Sequence, residues 1–300
     1  MSRQTFWRGV LPALTTPFDA DGGVDHGFLA EHAKTMIAAG CAGLVPLGSL
    51  GEGNVLSFEE KLAVLRTLVA VLPQRPVIAG IAALSTAEAV RLAQAAERAG
   101  CRGLMVLPPY VYVGSPDEMQ AHVSAVIEAT KLPCMLYNNP VAYRTDFLPE
   151  HIAELAARHA NLEAVKESST DVRRVTAIRA LIGDRLDVLV GVDDAIVEGV
   201  AAGAVGWVAG LVNAFPRESV RLFESASAGR DAQTDALYRW FLPLLRLDTV
   251  PKFVQLIKLA QQQVGMGGER VRAPRAVLCG AERESALALI EHARRNKPEL

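Results

Sequence analysis

The stretches AAGCAGLVPLG (38–48), RAGCRGLMVLP (98–108) and AAGAVGWVAGL (201–211) repeat one pattern. Each ends a helical segment with glycine, turns through one or two small residues and enters an apolar run. Glycine suits the end of a helix because the next backbone position often takes a positive φ angle. A near-continuous apolar run is typical of a parallel strand that is buried on both faces. The repeat therefore predicts helix–strand units around a parallel sheet.

The same alternation extends along most of the chain and predicts successive βα units. The predicted strands are 9–16, 43–48, 76–82, 103–108, 133–138, 162–167, 186–191 and 205–210. The predicted helices are 26–39, 57–72, 86–99, 116–130, 149–159, 171–182 and 194–202. Three of them begin with the Ser-x-x-Glu pattern of a capping box, at Ser57, Ser85 and Ser115. Eight strands favour a closed α/β fold, the (β/α)8 TIM barrel, over an open sheet.

The strand pattern stops after residue 213, and helical patterns continue. They cover 216–228, 231–246, 250–264 and 281–296. The first supplies the eighth barrel helix. We therefore predict a barrel over residues 1–228 that carries the active site, and a C-terminal helical extension over residues 229–300 packed on it.

The composition of the chain limits the classes of partner that we expect it to bind. The 300 residues carry a net charge of −2 with no basic block, which argues against a nucleic-acid partner. No apolar stretch approaches the roughly 18 residues of a membrane span, and polar residues interrupt the N-terminal apolar run. The four cysteines show no CxxC spacing, which favours reduced thiols and a cytoplasmic protein. We expect neither a nucleic acid nor a membrane as partner.

Lys166 is the one lysine of seven that falls within a predicted strand, in NLEAVKESSTD (161–171). Barrel enzymes place their chemistry at the carboxyl ends of the strands. Burial there would lower the pKa of the lysine, and a neutral amine can attack a carbonyl carbon to form a Schiff base. A lysine that reaches solvent or pairs with Glu167 is the alternative. Lys166 is our first candidate for a catalytic residue.

Other predicted strand ends supply further candidates. Tyr137 closes strand 133–138 and can move protons during imine formation. The loop GSLGE (48–52) offers the Ser49 hydroxyl as a catalytic helper, and its Gly48 and Leu50 backbone as part of a carboxylate site. Small or polar residues at the remaining strand ends are candidates for lining the substrate pocket: Thr16, Gly191 and Gly210.

Metal and nucleotide chemistry have no support in the sequence. All six histidines lie in or beside helical patterns, and neither HExxH nor clustered Cys/His occurs. No glycine-rich nucleotide fingerprint follows a strand. We therefore expect no metal and no cofactor.

Three motifs with this spacing, GSLGE (48–52), YNNP (137–140) and VKESS (165–169), resemble the dihydrodipicolinate synthase / N-acetylneuraminate lyase family. The resemblance covers essentially the whole chain. It implies a (β/α)8 barrel, usually a homotetramer with a dimer as the alternative, and a small 2-oxo acid or cyclic imino acid as substrate. It also implies that Lys166 forms the Schiff base, that Tyr137 shuttles protons, and that the loop at Ser49 holds the substrate carboxylate.

The sequence departs from dihydrodipicolinate synthase itself at three places. Leu50 replaces the second threonine of its G-T-T-G-E loop, and Val111 occupies the position of its relay tyrosine. Ala142 occupies the position of its arginine, and Arg144 follows two residues later. These departures argue against condensation with aspartate semialdehyde.

A narrower resemblance is to the 1-pyrroline-4-hydroxy-2-carboxylate deaminases of hydroxyproline catabolism. It is carried by the stretches 137–146, 240–260 and 272–283. It implies release of ammonia and 2,5-dioxopentanoate, with Tyr143 and Arg144 as candidates for binding the polar edge of the substrate. The alternatives are a 2-keto-3-deoxy sugar acid aldolase or dehydratase, 4-hydroxy-tetrahydrodipicolinate synthase, and a barrel that binds a metabolite without catalysis.

Overall fold

A computed structural model describes residues 6–298 of the chain. Within this range the strands are β1 (Gly9–Pro12), β2 (Ile78–Ile81), β3 (Gly103–Val106), β4 (Cys134–Asn138), β5 (Leu162–Glu167), β6 (Asp187–Val190) and β7 (Gly206–Ala209). They form one sheet in the order β1-β7-β6-β5-β4-β3-β2, and every neighbouring pair is parallel. Their side chains are almost all buried, as expected for strands covered on both faces.

The sheet closes through residues 42–46, which lie between β1 and β2. On one side the Val45 amide donates to the Pro12 carbonyl at 2.8 Å. On the other side the Ile78 amide donates to the Leu44 carbonyl, also at 2.8 Å. These bridges complete the ring, and the structure confirms the predicted (β/α)8 barrel.

The predicted strand 43–48 is therefore present only as isolated bridges, and its prediction as a regular strand is wrong. Pro46 has no amide hydrogen to donate, so the ladder is interrupted at its position. Leu47 then takes a φ of 66°, which turns the chain out of the extended conformation. The turn directs residues 48–52 across the mouth of the barrel.

The α-helices alternate with the strands and continue beyond them. They are α1 (His26–Ala38), α2 (Phe58–Val71), α3 (Thr86–Arg98), α4 (Pro116–Glu128), α5 (Pro140–Tyr143), α6 (Pro149–Arg158), α7 (Arg173–Ile182), α8 (Ile196–Ala201), α9 (Pro216–Gly229), α10 (Ala232–Leu245), α11 (Phe253–Gln263) and α12 (Gly280–Arg295). Short 3-10 helices cover Gly53–Val55, Asp193–Ala195, Leu211–Asn213 and Arg246–Asp248. Helix α5 is absent from the sequence prediction, although Asn139 caps it and Pro140 occupies its first position.

Local signals at the helix ends behave largely as predicted. Gly40, Gly100 and Gly203 take φ angles of 104°, 92° and 104° at the helix–strand turns. Helices α2 and α4 begin with complete capping boxes. In α3 the Ser85 side chain accepts the backbone bond, and only this half of the box is formed.

A buried ion pair joins the C-terminal extension to the barrel. The Lys258 ammonium of α11 donates to the Glu52 carboxylate at 2.5 Å, and both side chains are at most 1% exposed. The Arg272 amide donates to the other Glu52 oxygen at 3.1 Å, and the Arg275 guanidinium lies 3.7 Å from it. The extension therefore holds the loop of residues 48–52 against the barrel mouth.

Removing one partner of this ion pair should destabilise the fold. Replacing Lys258 by methionine keeps the volume of the side chain but leaves Glu52 with the Arg275 guanidinium at 3.7 Å in place of the directly bonded ammonium. We expect Lys258→Met to lower the free energy of unfolding, measured by urea denaturation, by about 3 kcal/mol. The matched control is Lys252→Met, which breaks an exposed pair with Glu282. The control should cost less than about 1 kcal/mol. Equal losses in the two variants would contradict the structural role of the buried pair.

Candidate active site

Two neighbouring strands place Lys166 and Tyr137 side by side. The residues are direct partners in the register between β4 and β5. The Lys166 ammonium nitrogen lies 4.1 Å from the centre of the Tyr137 ring, and both side chains are buried. Because parallel strands bring their carboxyl ends to one edge, the barrel unites two residues that are 29 positions apart in sequence.

Burial sets the electrostatics of this pair. It lowers the pKa of Lys166 to about 8, because the ammonium form is poorly solvated, although the acidic groups of Asp248 and Asp193, when ionised, oppose the shift. Burial also raises the pKa of Tyr137 to about 12. The Tyr137 hydroxyl accepts a hydrogen bond from the Asn139 amide at 2.9 Å. The lysine is thus available as a neutral nucleophile, and the phenol keeps its proton.

The absence of a side chain at Gly191 leaves space for the Lys166 side chain. Gly191 follows β6, and a Cβ atom there would lie 1.9 Å from the Ser168 hydroxyl and 2.5 Å from the Lys166 Cε atom. The sequence analysis assigned this space to the substrate. In the structure, the space next to Gly191 is filled by the side chains of Lys166 and Ser168.

The loop of residues 48–52 brings a third polar group to the same place. The Ser49 hydroxyl is hydrogen-bonded to the Tyr143 hydroxyl. The Tyr143 ring lies between the rings of Tyr137 and Tyr110, with centroid distances of 5.7 and 5.5 Å. Three phenols and one serine hydroxyl therefore surround the space in front of Lys166.

These groups line one cavity of about 460 Å³ at the barrel mouth. Most of the site residues predicted from the sequence contribute to its wall: Gly48, Ser49, Leu50, Tyr137, Tyr143, Lys166 and Gly191. A cavity of this size suits a small molecule.

The other three predicted site residues lie outside the wall of this cavity. The Thr16 hydroxyl donates to the Gly51 carbonyl at 2.6 Å and so supports the loop from behind. Arg144 is exposed at the end of α5, where its φ is 60°. Gly210 faces the Asp248 carboxylate, because a Cβ atom there would lie 2.1 Å from the Asp248 Oδ1 atom.

The cavity wall also contains polar residues that the sequence analysis did not select: Tyr110, Asn139, Ser168, Asp248 and Arg275. Asn139 lies two residues after Tyr137, and Ser168 lies two residues after Lys166. Both therefore belong to motifs that the sequence had already indicated. Asp248 and Arg275 belong to the C-terminal extension. The extension contains no predicted strand, so no strand end in the sequence indicates these two residues.

Among residues 6–298, no helix has the length and apolar character needed to cross a membrane. In the same range, the His, Cys, Asp and Glu side chains form no group of three or more that could hold a metal ion.

A buried lysine of lowered pKa, beside a tyrosine at the carboxyl ends of barrel strands, is an arrangement suited to Schiff-base formation. Residues 6–293 match the model of the dihydrodipicolinate synthetase family, and the chain belongs to this family. Its members are Schiff-base lyases.

Curated relatives match over nearly their full length. The 4-hydroxy-tetrahydrodipicolinate synthase of Geotalea daltonii is 32% identical over 290 residues, covering 95% of this chain and 98% of the relative. The enzyme of the same name from Agrobacterium fabrum is 34% identical over 289 residues, covering 96% and 98%. These names match an alternative of the sequence analysis better than its deaminase interpretation.

Solved structures agree with the fold. A dihydrodipicolinate synthase from Acinetobacter baumannii complexed with pyruvate gives a TM-score of 0.91 at 28% identity, covering 96% of this chain and 99% of that chain. A prophage protein of the family from Escherichia coli, also in complex with pyruvate, gives 0.90 at 27% identity with the same coverage.

The lowered pKa of Lys166 predicts a specific labelling profile. As the pH rises through about 8, Lys166 should lose its proton and become reactive. Competitive acetylation across a pH series, read by peptide mass spectrometry, measures this midpoint. The control is the protein unfolded in urea, in which Lys166 should titrate at the ordinary lysine value of about 10.4. The same midpoint in both states would contradict the effect of burial.

The close approach at Gly191 predicts an effect on stability. Gly191→Ala should lower the free energy of unfolding by about 1–3 kcal/mol, because the added methyl group overlaps Lys166 and Ser168. Gly268→Ala is the control, since a Cβ atom at Gly268 meets nothing within 4 Å. Urea denaturation of both variants checks the expectation, which would be wrong if they were equally stable.

Proposed function

We propose that this protein uses Lys166 to form a Schiff base with a small 2-oxo acid or the related cyclic imine. The observation that carries the proposal is the buried Lys166 amine, with a pKa lowered to about 8, in a cavity at the barrel mouth. About a tenth of the amine is therefore neutral at pH 7, far more than for an exposed lysine, and this form can attack a carbonyl or imine carbon. Two family structures solved with pyruvate support this substrate class.

Other residues of the wall fit the remaining steps. Tyr137 lies against the Lys166 amine, so its hydroxyl is well placed to carry protons to and from the carbinolamine. The bonded hydroxyls of Ser49 and Tyr143 extend this set of proton carriers. The backbone at Ser49 and Leu50 lines the cavity, and we expect its amides to bind the substrate carboxylate.

We further propose that the substrate is 1-pyrroline-4-hydroxy-2-carboxylate and that the products are 2,5-dioxopentanoate and ammonia. Two of the stretches that carry this narrower resemblance, 240–260 and 272–283, supply Asp248 and Arg275 to the cavity wall. The segments that carry the resemblance to the deaminases therefore contribute to the cavity wall. Val111, at the position of the synthase relay tyrosine, is 82% exposed and carries no hydroxyl group.

The chemistry then follows in order. Lys166 attacks the imine carbon of the ring, and transimination breaks the bond from this carbon to the ring nitrogen. The protonated Schiff base acidifies carbon 3, and loss of a proton there allows the hydroxyl group to leave carbon 4. Isomerisation to a terminal imine and hydrolysis release ammonia and regenerate Lys166. The overall reaction consumes one water and needs no oxidant or reductant.

A second candidate is 4-hydroxy-tetrahydrodipicolinate synthase, because curated relatives at 32% and 34% identity carry this name. It would share Lys166 and Tyr137. It would join pyruvate to aspartate semialdehyde and release no ammonia.

Ammonia release from 1-pyrroline-4-hydroxy-2-carboxylate tests the proposed function. The wild-type protein should release ammonia, and Lys166→Ala should show none above the uncatalysed rate, because it lacks the nucleophile. Lys34→Ala, which removes an exposed lysine paired with Glu31, is the matched control and should retain full activity. Borohydride should trap a substrate adduct on Lys166 in the wild type.

Three results would overturn the proposal in different ways. Condensation of pyruvate with aspartate semialdehyde, without ammonia release, would establish the synthase instead. Cleavage of a keto-deoxy sugar acid would establish an aldolase. Full activity of Lys166→Ala would remove the Schiff base altogether.

A further inference from the structure

Asp248 reaches the cavity from outside the barrel. It ends the short 3-10 helix Arg246–Asp248, which connects α10 to α11 in the C-terminal extension. Its side chain lines the same cavity as Lys166. Among the described residues of the cavity wall, Asp248 supplies the only carboxyl group.

The carboxyl group of Asp248 lies in an environment that favours its neutral form. Within residues 6–298 its Oδ1 atom has no hydrogen-bond partner and is closed off from solvent. Oδ1 lies against the Gly210 backbone, at a place where even a methyl group would not fit. An ionised oxygen without a donor is costly in such surroundings, and a protonated carboxyl group is not.

Asp193 holds the negative charge of this region. Its oxygens accept hydrogen bonds from the Trp207 indole at 3.0 Å, the Leu211 amide at 2.7 Å and the Gly210 amide at 3.1 Å. Asp248, which is partly buried, lies against the same glycine, so its carboxyl group interacts with that of the fully buried Asp193. Since N–H donors stabilise the ionised form, the charge belongs on Asp193 and the proton on Asp248.

The pKa shifts of Asp248 and Asp193 favour the same assignment of the proton to Asp248. Burial raises the pKa of Asp248 well above its usual value, and the neighbouring Asp193 charge raises it further. Burial raises the pKa of Asp193 to about 6, while its N–H donors act in the opposite sense. The Lys166 ammonium acts in the opposite sense on Asp248, but the unpartnered Oδ1 atom and the N–H donors of Asp193 favour placing the proton on Asp248.

We propose that Asp248, in its protonated form, is the catalytic acid that protonates the hydroxyl group leaving carbon 4 of the Lys166 adduct. This inference rests on the proposed deamination. As the enamine electrons form the double bond between carbons 3 and 4, the carbon–oxygen bond breaks and its electron pair stays on oxygen. The Asp248 proton joins that oxygen, so water leaves and Asp248 becomes a carboxylate. The proton later lost from carbon 5 restores the acid.

The other proton carriers of the cavity are less suited to this step. Burial raises the pKa of Tyr137 to about 12 and raises the pKa of Tyr143 and Tyr110 as well. A carboxylic acid gives up its proton to a leaving hydroxyl group more readily than such phenols do. Substrates of this site should therefore carry a hydroxyl group on the carbon next but one to the Schiff-base carbon.

The test compares the wild type with Asp248→Asn, which keeps the shape and neutrality of the side chain but has no acidic proton. The control is Asp194→Asn, which removes a carboxylate that faces Arg246 outside the cavity. Two readouts are used. The first is borohydride trapping of pyruvate, which reports an intact Lys166 site. The second is ammonia release from 1-pyrroline-4-hydroxy-2-carboxylate, together with the mass of the adduct trapped from it.

We expect Asp248→Asn to trap pyruvate within about twofold of the wild type, because it removes no charge near Lys166. Its ammonia release should fall by about 10²–10⁴-fold, the usual effect of losing a general acid. Its trapped adduct should still contain the hydroxyl oxygen. Asp194→Asn should match the wild type in both readouts.

Ammonia release by Asp248→Asn at the wild-type rate would overturn the role of Asp248 and leave the deamination standing. Loss of pyruvate trapping in Asp248→Asn would also overturn it, since the residue would then be needed for the Lys166 site itself. No ammonia release by the wild type would overturn the deamination and this inference together.

Discussion

Glu52 is fully buried where the mouth of the barrel meets the C-terminal extension. Its carboxylate is compensated by Lys258 and by the Arg272 amide, both from the extension. A charge in this position is tolerated only when its partners are in place, so the barrel loop and the extension must come together in one arrangement. That arrangement also fixes Ser49, three residues before Glu52, and Arg275, which lies 3.7 Å from the Glu52 carboxylate. One ion pair thus couples two parts of the chain that both contribute residues to the cavity wall.

Three ionisable groups interact in and beside the cavity: Lys166 and Asp248 in its wall, and the buried Asp193 behind it. Burial lowers the affinity of Lys166 for a proton, N–H donors favour the ionised form of Asp193, and the Asp248 Oδ1 atom has no hydrogen-bond partner among residues 6–298. The same lack of solvation therefore favours a neutral amine and a neutral acid in one cavity. In water these two groups would carry opposite charges and would serve poorly as nucleophile and acid. In the proposed mechanism, burial away from water is what makes the amine a nucleophile and the carboxyl group an acid.

Two glycines beside the cavity allow side chains to approach the backbone closely. Gly191 and Gly210 follow neighbouring strands, β6 and β7, and both give space to a functional side chain. Lys166 passes over Gly191, and Asp248 lies against Gly210. Since a Cβ atom at either position would overlap these side chains, the two glycines act by positioning protein groups. The cavity lies in front of them, beside Tyr137.

The sequence by itself determined the barrel and its reactive centre. Apolar runs, helix-end glycines and caps are local signals, and the alternation of strands and helices places the end of strand β5, with Lys166, at the mouth of the barrel. It did not determine that residues 43–48 would pair only through isolated bridges, because Pro46 and Leu47 interrupt the strand within an apolar run. Nor did it place Asp248 in the cavity, 82 residues after Lys166. That contact depends on how the helices of the extension pack on the barrel. Packing of this kind joins distant segments through shape and buried charge, which a pattern of neighbouring residues does not record.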